Sequence, residues 1–256
     1  MIFYLGTPEP VWLARVDVPW FISRRRLDRY KKLHRAVGRW ALDSGGFTEL
    51  TKYGAWQMTA AEYADRIARY VDEVGAPDWC APQDWMCEPH MLAHTGLSID
   101  THQKLTVDNL LELRSLRPAA PVVPVLQGWD LNDYLACIDL YRDAGVDLFT
   151  EPLVGLGTVC RRQHTQEAAG IIQHLADLGL RLHGFGLKMT AVLATGDLLT
   201  SCDSMAWSLN ARKLTKLTDC THKGRSCANC MRWALLWRDA LLAAAANPPP
   251  RQSRLF

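Results

Sequence analysis

Apolar residues along this chain fall into short runs separated by longer stretches of helical spacing. The runs are IFYLGT (2–7), VPWFIS (18–23), WALDSGGF (40–47), DWCAPQDW (78–85), PVVPVLQG (121–128), DLFTEPLVGLG (147–157), RLHGFGLK (181–188) and LTSCDSMAW (199–207). Each is of strand length, and between most of them apolar residues recur every three or four positions, as on one face of a helix. TAAEYADRIARYVDEVG (59–75) opens on a Thr cap with an acid in its first turn and closes on Gly. LNDYLACIDLYRDAG (131–145) and TQEAAGIIQHLADLG (165–179) close in the same way. Strand and helix in alternation predict parallel β/α units, and eight such units predict an α/β fold of the (β/α)8 TIM-barrel kind. Residues 1–246 read as one domain, and the Pro-rich NPPPRQSRLF (247–256) reads as a flexible tail.

Composition narrows the class without naming a partner. The 256 residues are 48% hydrophobic and 22% charged, with a net charge of +2, which argues against disorder. No apolar run approaches the ~20 residues of a membrane span, and MIFYLGTPEP lacks the pattern of a secretory signal. A cytoplasmic domain with a sizeable core is the expectation. Basic residues do cluster, at Arg24, Arg25, Arg26, Arg29, Lys31, Lys32 and Arg35 and again from Arg212 to Arg232. With ten tryptophans, that pattern suits phosphates and stacked bases as well as two solvated helix faces.

The polar residues inside the runs are the informative ones. Asp43, Asp84, Gln127, Glu151, Gly155, Gly157, His183 and Asp203 fall toward the C-terminal ends of their expected strands. In a β/α barrel that end is the mouth where active sites are built. Carboxylates, an amide and Gly-rich turns suit a small, planar, polar ligand. Separately, Cys220, His222, Cys227 and Cys230 offer four zinc ligands within eleven residues, inside a C-terminal segment at 219–231. Three thiolates with one imidazole and a C-x-x-C pair suit a closed, structural tetrahedral site. Free thiols are the competing reading. His90 and His94 in HMLAH have the spacing of a helical metal pair, but Met91 stands where a zinc protease carries its Glu. They read as a surface helix, although a metal-dependent hydrolase would use them.

DSGGF (43–47), VLQG (125–128) and CDSMAWSLNAR (202–212), with VGLG (154–157) and HGFG (183–186) in order between them, resemble the tRNA-guanine transglycosylases. That resemblance implies guanine exchange through a covalent enzyme–sugar intermediate, with Asp203 as nucleophile and Asp43 as general acid/base. It implies a base pocket in which Asp84 faces the Watson–Crick edge, Gln127 and the Gly155–Leu156 backbone reach the carbonyl, and Phe47 and His183 sandwich the ring. His183 stands where Met is more usual. The cysteine cluster matches the family's zinc site. There the His lies in the following helix; here MRWALLWRDALLAAAA contains none, which selects His222. Where the bacterial tRNA enzymes carry Pro-Thr-Arg, this chain reads SLNAR. The short length and that change are similar to the DNA-modifying branch found in phages and bacterial genomic islands, which inserts a 7-deazaguanine such as preQ0. DNA is then the expected partner and tRNA the alternative, with Arg161, Arg162, Arg212, Lys213 and Lys216 flanking the site to meet phosphates. A catalytically inactive barrel that only binds nucleic acid or deazapurine is a further alternative.

Overall fold

The computed structural model describes residues 1–158 and 166–246. Seven parallel strands form one curled sheet: β1 (Ile2–Gly6), β2 (Trp20–Ser23), β3 (Trp40–Asp43), β4 (Val125–Leu126), β5 (Val154–Leu156), β6 (Leu182–Gly184) and β7 (Ser201–Ser204). Their order is β3-β2-β1-β7-β6-β5-β4, so the first and last strands of the chain are neighbours. The expected eighth strand, 78–85, does not form as a ladder. Its Cys80 alone makes parallel bridges, to Leu42 on one side and Val122 on the other. Pro82 in the middle of that run has no N–H to donate, and Pro121 and Pro124 remove two more donors from the adjoining segment.

Helices follow the strands: α1 (Arg24–Leu27), α2 (Gly46–Tyr53), α3 (Ala60–Val74), α4 (Pro89–Thr95), α5 (Ile99–Leu116), α6 (Leu131–Asp143), α7 (Gln166–Asp177), α8 (Met189–Thr195), α9 (Ala206–Ala211) and α10 (Met231–Ala246). The start of α3 is fixed by a reciprocal cap. The Thr59 hydroxyl accepts from the Glu62 N–H, and the Glu62 carboxylate accepts from that of Thr59. An equivalent box between Asp130 and Asp133 starts α6.

Strand alternation sorts the side chains onto two faces. Phe3, Leu5, Trp20, Ile22, Trp40, Leu42, Val154, Leu156, Leu182 and Cys202 belong to the main core, which also takes in residues of the surrounding helices. The intervening Tyr4, Phe21 and Ala41 join Trp79, Ala81, Val123 and Leu153 in a second cluster on the concave face. Asp43, two residues past Ala41, and Asp203, in register with Tyr4, share that face. No helix among the described residues is long and apolar enough to cross a membrane.

One expected strand was drawn too long. In DLFTEPLVGLG, Asp147 caps a turn and Pro152 interrupts the run, so β5 begins only at Val154. Glu151 therefore lies at the opposite end of the sheet from the Asp43 side. There it pairs with Arg114 at 2.7 Å beside a cavity of about 600 Å³ that also holds Tyr4, Arg39 and Asp78. Arg39 and the Tyr4 hydroxyl both bond Asp78, so the charges of that larger cavity already satisfy one another.

Candidate active site

A cavity of about 210 Å³ opens at the C-terminal ends of the strands and gathers residues from distant parts of the chain. Asp43 ends β3 and Asp203 lies in β7; both line it, together with Asp84, Glu88, Phe47, Gly157 and Thr158. Phe21, Phe185 and Met86 supply apolar wall.

The turn carrying Asp43 is shaped by glycine and clamped by a buried ion pair. Gly45 is left-handed, with φ +85°, and a Cβ there would meet the Arg25 side chain at 2.9 Å. Glycine adopts that conformation without strain. Arg24, 5% exposed, donates to the Ser44 carbonyl at 2.8 Å and pairs with Glu49, itself 2% exposed. Arg25 binds the same Glu49 oxygen. Sequence reading missed this pair because its members lie 25 residues apart. It left Arg24 in a basic run that suited phosphates as well as a solvated helix face, whereas the guanidinium is buried.

Asp43 accepts from the Gly45 N–H and the Ser23 hydroxyl, yet burial, with the Asp203 charge adding to it, holds its carboxyl above the usual range. Asp84 is pushed up to about 7 by burial and by the neighbouring Asp43. The Gln127 amide nitrogen donates to Asp84 at 2.6 Å, and the Gln127 carbonyl accepts from the Thr158 hydroxyl at 2.7 Å. The Cys87 N–H in turn donates to Thr158. Thr158 has φ +64°, an uncommon conformation for a residue with a Cβ. A side chain on Gly157 would run into the Gln127 amide at 2.3 Å.

Three of the expected base contacts are placed differently. Gln127 is fully buried behind Asp84, which it orients, and does not line the cavity. The cavity wall is Gly157 and Thr158, two residues beyond the expected Gly155 and Leu156. Leu156 faces the helices by strand alternation, and Gly155 packs under the Phe185 ring. His183 is fully buried beneath the cavity, its ring 4.4 Å from that of Trp79 and 4.7 Å from that of Phe185. It bonds Asp203, 3.3 Å from Nε2, and Ser201, 2.8 Å from Nδ1. Burial holds its imidazole below the usual range. Phe47, 41% exposed, sits at the rim of the cavity. Phe185 and Thr158 were not singled out in the sequence, although Phe185 lies within HGFG.

The Cys220, His222, Cys227 and Cys230 ligand atoms lie within 4.8 Å of one another and form a cluster able to hold a metal ion such as zinc. Tetrahedral zinc, with bonds of about 2.3 Å to sulfur and 2.0–2.1 Å to nitrogen, separates sulfurs by about 3.8 Å and sulfur from nitrogen by about 3.6 Å. The separations here are 3.6 and 3.8 Å between sulfurs and 3.5 Å from Cys227 to the His222 Nε2. The donor set fits the ion. Lys216 donates to the His222 carbonyl and so braces this loop, while Arg212 and Lys213 are exposed after α9. Arg161 and Arg162 lie outside the described residues. His90 and His94 are exposed on α4 and belong to no metal-binding group among the described residues.

Residues 1–252 match DpdA, described as DeoxyPurine in DNA protein A. The chain belongs to the DpdA family. This family is tRNA-guanine transglycosylase-like and takes part in the 7-deazaguanine modification of DNA. No curated protein matches the chain significantly. Among solved structures, a putative isomerase from Sinorhizobium meliloti in an open-loop conformation aligns with a TM-score of 0.40 and 10% identity. The alignment covers 79% of this chain and 49% of the isomerase, about half its length. Within the DpdA match fall the three cavity aspartates, Asp43, Asp84 and Asp203, and all four members of the Cys/His cluster.

Proposed function

We propose that this protein exchanges guanine in DNA for a 7-deazaguanine base such as preQ0. The convergence of Asp43 and Asp203 on one small cavity, in a chain of the DpdA family, is the observation that carries this reading. Asp203 attacks C1′ of the nucleotide while Asp43, whose carboxyl burial holds above the usual range, protonates the departing guanine. A covalent sugar–Asp203 ester remains. Asp43, now a carboxylate, takes the N9 proton of the incoming base; that nitrogen attacks C1′, and Asp203 leaves as a carboxylate. Asp84 accepts from the N1–H and amino group of either base, and Phe47 covers the ring at the rim. We read the fold as a barrel closed through Cys80, since its two bridges join the edge strands' segments. Cys220, His222, Cys227 and Cys230 would hold zinc, which would supply a structural cross-link and take no part in the chemistry.

The deciding experiment offers labelled preQ0 with duplex DNA or tRNA under matched salt. Label entering DNA supports the proposal; label entering tRNA and never DNA overturns the choice of polymer. Label entering neither, with the base still bound, favours a binding protein.

The Asp84 carboxyl gives this reading a pH signature. With its value at about 7 in the empty pocket, Asp84 is protonated below that pH and presents one acceptor fewer to the base. Base affinity should therefore rise about tenfold per pH unit up to pH ~7 and level off above it, with one proton released per base bound below pH 7. Calorimetry in two buffers of different ionisation enthalpy measures both. Affinity independent of pH between 5 and 8 would remove Asp84 from the base edge.

DNA binding should weaken steeply with salt, with a slope of log K against log salt of about −0.9 per phosphate contacted. Replacing Arg212 and Lys213 together with Ala should flatten that slope by about two units on duplex DNA. An unchanged slope would place the phosphate track elsewhere. The target nucleotide must leave the stack to reach the cavity, at a cost of a few kcal/mol, so a mismatched guanine should react at least as readily as a paired one.

A further inference from the structure

We propose that His183 is a positioning residue for Asp203, fixing which carboxylate oxygen attacks the sugar; this rests on the function proposed above. His183 of β6 and Ser201 of β7 are register partners, and Asp203 lies two residues further along β7 on the same concave face. The imidazole thus spans two rungs of the sheet, 2.8 Å from the Ser201 hydroxyl through Nδ1 and 3.3 Å from Asp203 Oδ1 through Nε2.

An ionised carboxylate only accepts, so Nε2 must carry the proton, and Nδ1 must then accept from the Ser201 hydroxyl. Each group in this row has one assignment. The Gly186 N–H donates to the same Oδ1 at 2.8 Å. Two donors converging on Oδ1 leave the other oxygen for C1′ and stop the carboxylate from rotating. The aromatic rings of Trp79, Phe185, Phe21 and Tyr4 pack around the imidazole. A base stacked on His183 would have to displace them. The imidazole therefore acts on the base only through Asp203.

The test combines base exchange by His183→Gln and His183→Leu with imidazole ¹⁵N spectra of the wild-type and Ser201→Ala proteins. The Nε2–H tautomer is expected in the wild type and should persist in Ser201→Ala, because the Asp203 carboxylate alone requires a proton on Nε2. His183→Leu should lower kcat by about 10–100-fold, the worth of one hydrogen bond to a charged group, with KM for the base unchanged. His183→Gln places an amide N–H near the position of Nε2 and should recover most of that loss. An Nδ1–H tautomer in the wild type, or wild-type kcat in His183→Leu, overturns the proposal. A loss confined to KM assigns His183 to the base instead, and a Gln variant as poor as Leu assigns it to packing. Should the wild-type protein exchange no base with either polymer, the function proposed above fails. The spectra then decide alone: the Nε2–H form upholds the hydrogen bond to Asp203, and the Nδ1–H form overturns it.

Discussion

Asp203→Asn is expected to abolish base exchange, by at least about 10⁴-fold, while leaving the fold and the affinity for free base nearly intact. Removal of a covalent nucleophile has effects of that order or larger. The isosteric amide can still present an oxygen to the Gly186 and His183 donors, which hold one side of the wild-type carboxylate, so the local structure has little reason to change. Base affinity should survive because the groups proposed to face the base, Asp84 and Phe47, enter the cavity from other segments. Asp203→Ala should be as inactive but less stable, since it leaves the Gly186 N–H without that acceptor. Denaturing gels of the protein trapped on DNA distinguish the mechanism: wild type should form a covalent adduct and neither variant should. Exchange near the wild-type level in Asp203→Asn would exclude the covalent route.

The second large effect concerns the metal. Purified protein should carry one zinc per chain, and replacing Cys227 or Cys230 with Ser should release it. The four ligands span a segment with no helix or strand of its own between α9 and α10. Within it, Cys220 and Cys227 pack against Ala211, and Trp233 of α10 lies alongside them. Metal binding to such a segment is folding energy, worth about 10–16 kcal/mol in isolated zinc peptides, although a loop held at both ends by a folded domain will show less. Metal analysis with thermal unfolding should show zinc loss and a lower Tm in both variants. The Ser208 hydroxyl, which donates to the Ala228 carbonyl at 2.7 Å, ties this loop to the helix immediately after Asp203. Exchange activity should therefore decline with zinc occupancy even though no ligand faces the cavity. Full occupancy and unchanged Tm in His222→Ala would require a different fourth ligand.

The sequence made one class of feature readable and concealed another. Strand alternation around Tyr4, Ala41 and Cys202 assigns the two faces of the sheet, and Asp43 and Asp203 follow from that alternation plus their place at strand ends. The four metal ligands lie within eleven residues, so spacing alone brings them together. Glu151 was misplaced because an apolar run does not show where its ladder begins, and Pro152 moves that start past it. The resemblance assigned Gln127 and His183 to the base. Their depth beneath the cavity depends on which neighbours fill the space above, Asp84 for one and Phe185 for the other. Thr158 was invisible because a left-handed threonine leaves no mark in sequence. The Arg24–Glu49 clamp was invisible for a related reason: two charges in separate helices carry no signal of each other.

The seam at Cys80 divides the site into parts of different rigidity. Asp43 and Asp203 belong to an unbroken run of paired strands from β3 through β2 and β1 to β7. Asp84 belongs instead to the stretch after Cys80, held in place by side chains: Asn109 accepts from the Gln83 N–H, Thr106 from that of Trp85, and Tyr63 donates to the Ala81 carbonyl. Such anchors are replaceable one at a time, whereas a ladder shifts as a whole. Substitutions at Asn109, Thr106 or Tyr63 would move the carboxylate proposed to read the base and leave the pair proposed to act on the sugar where it is. Under the proposed function, a lineage carrying this architecture can change which modified purine it inserts without rebuilding the machinery that inserts it.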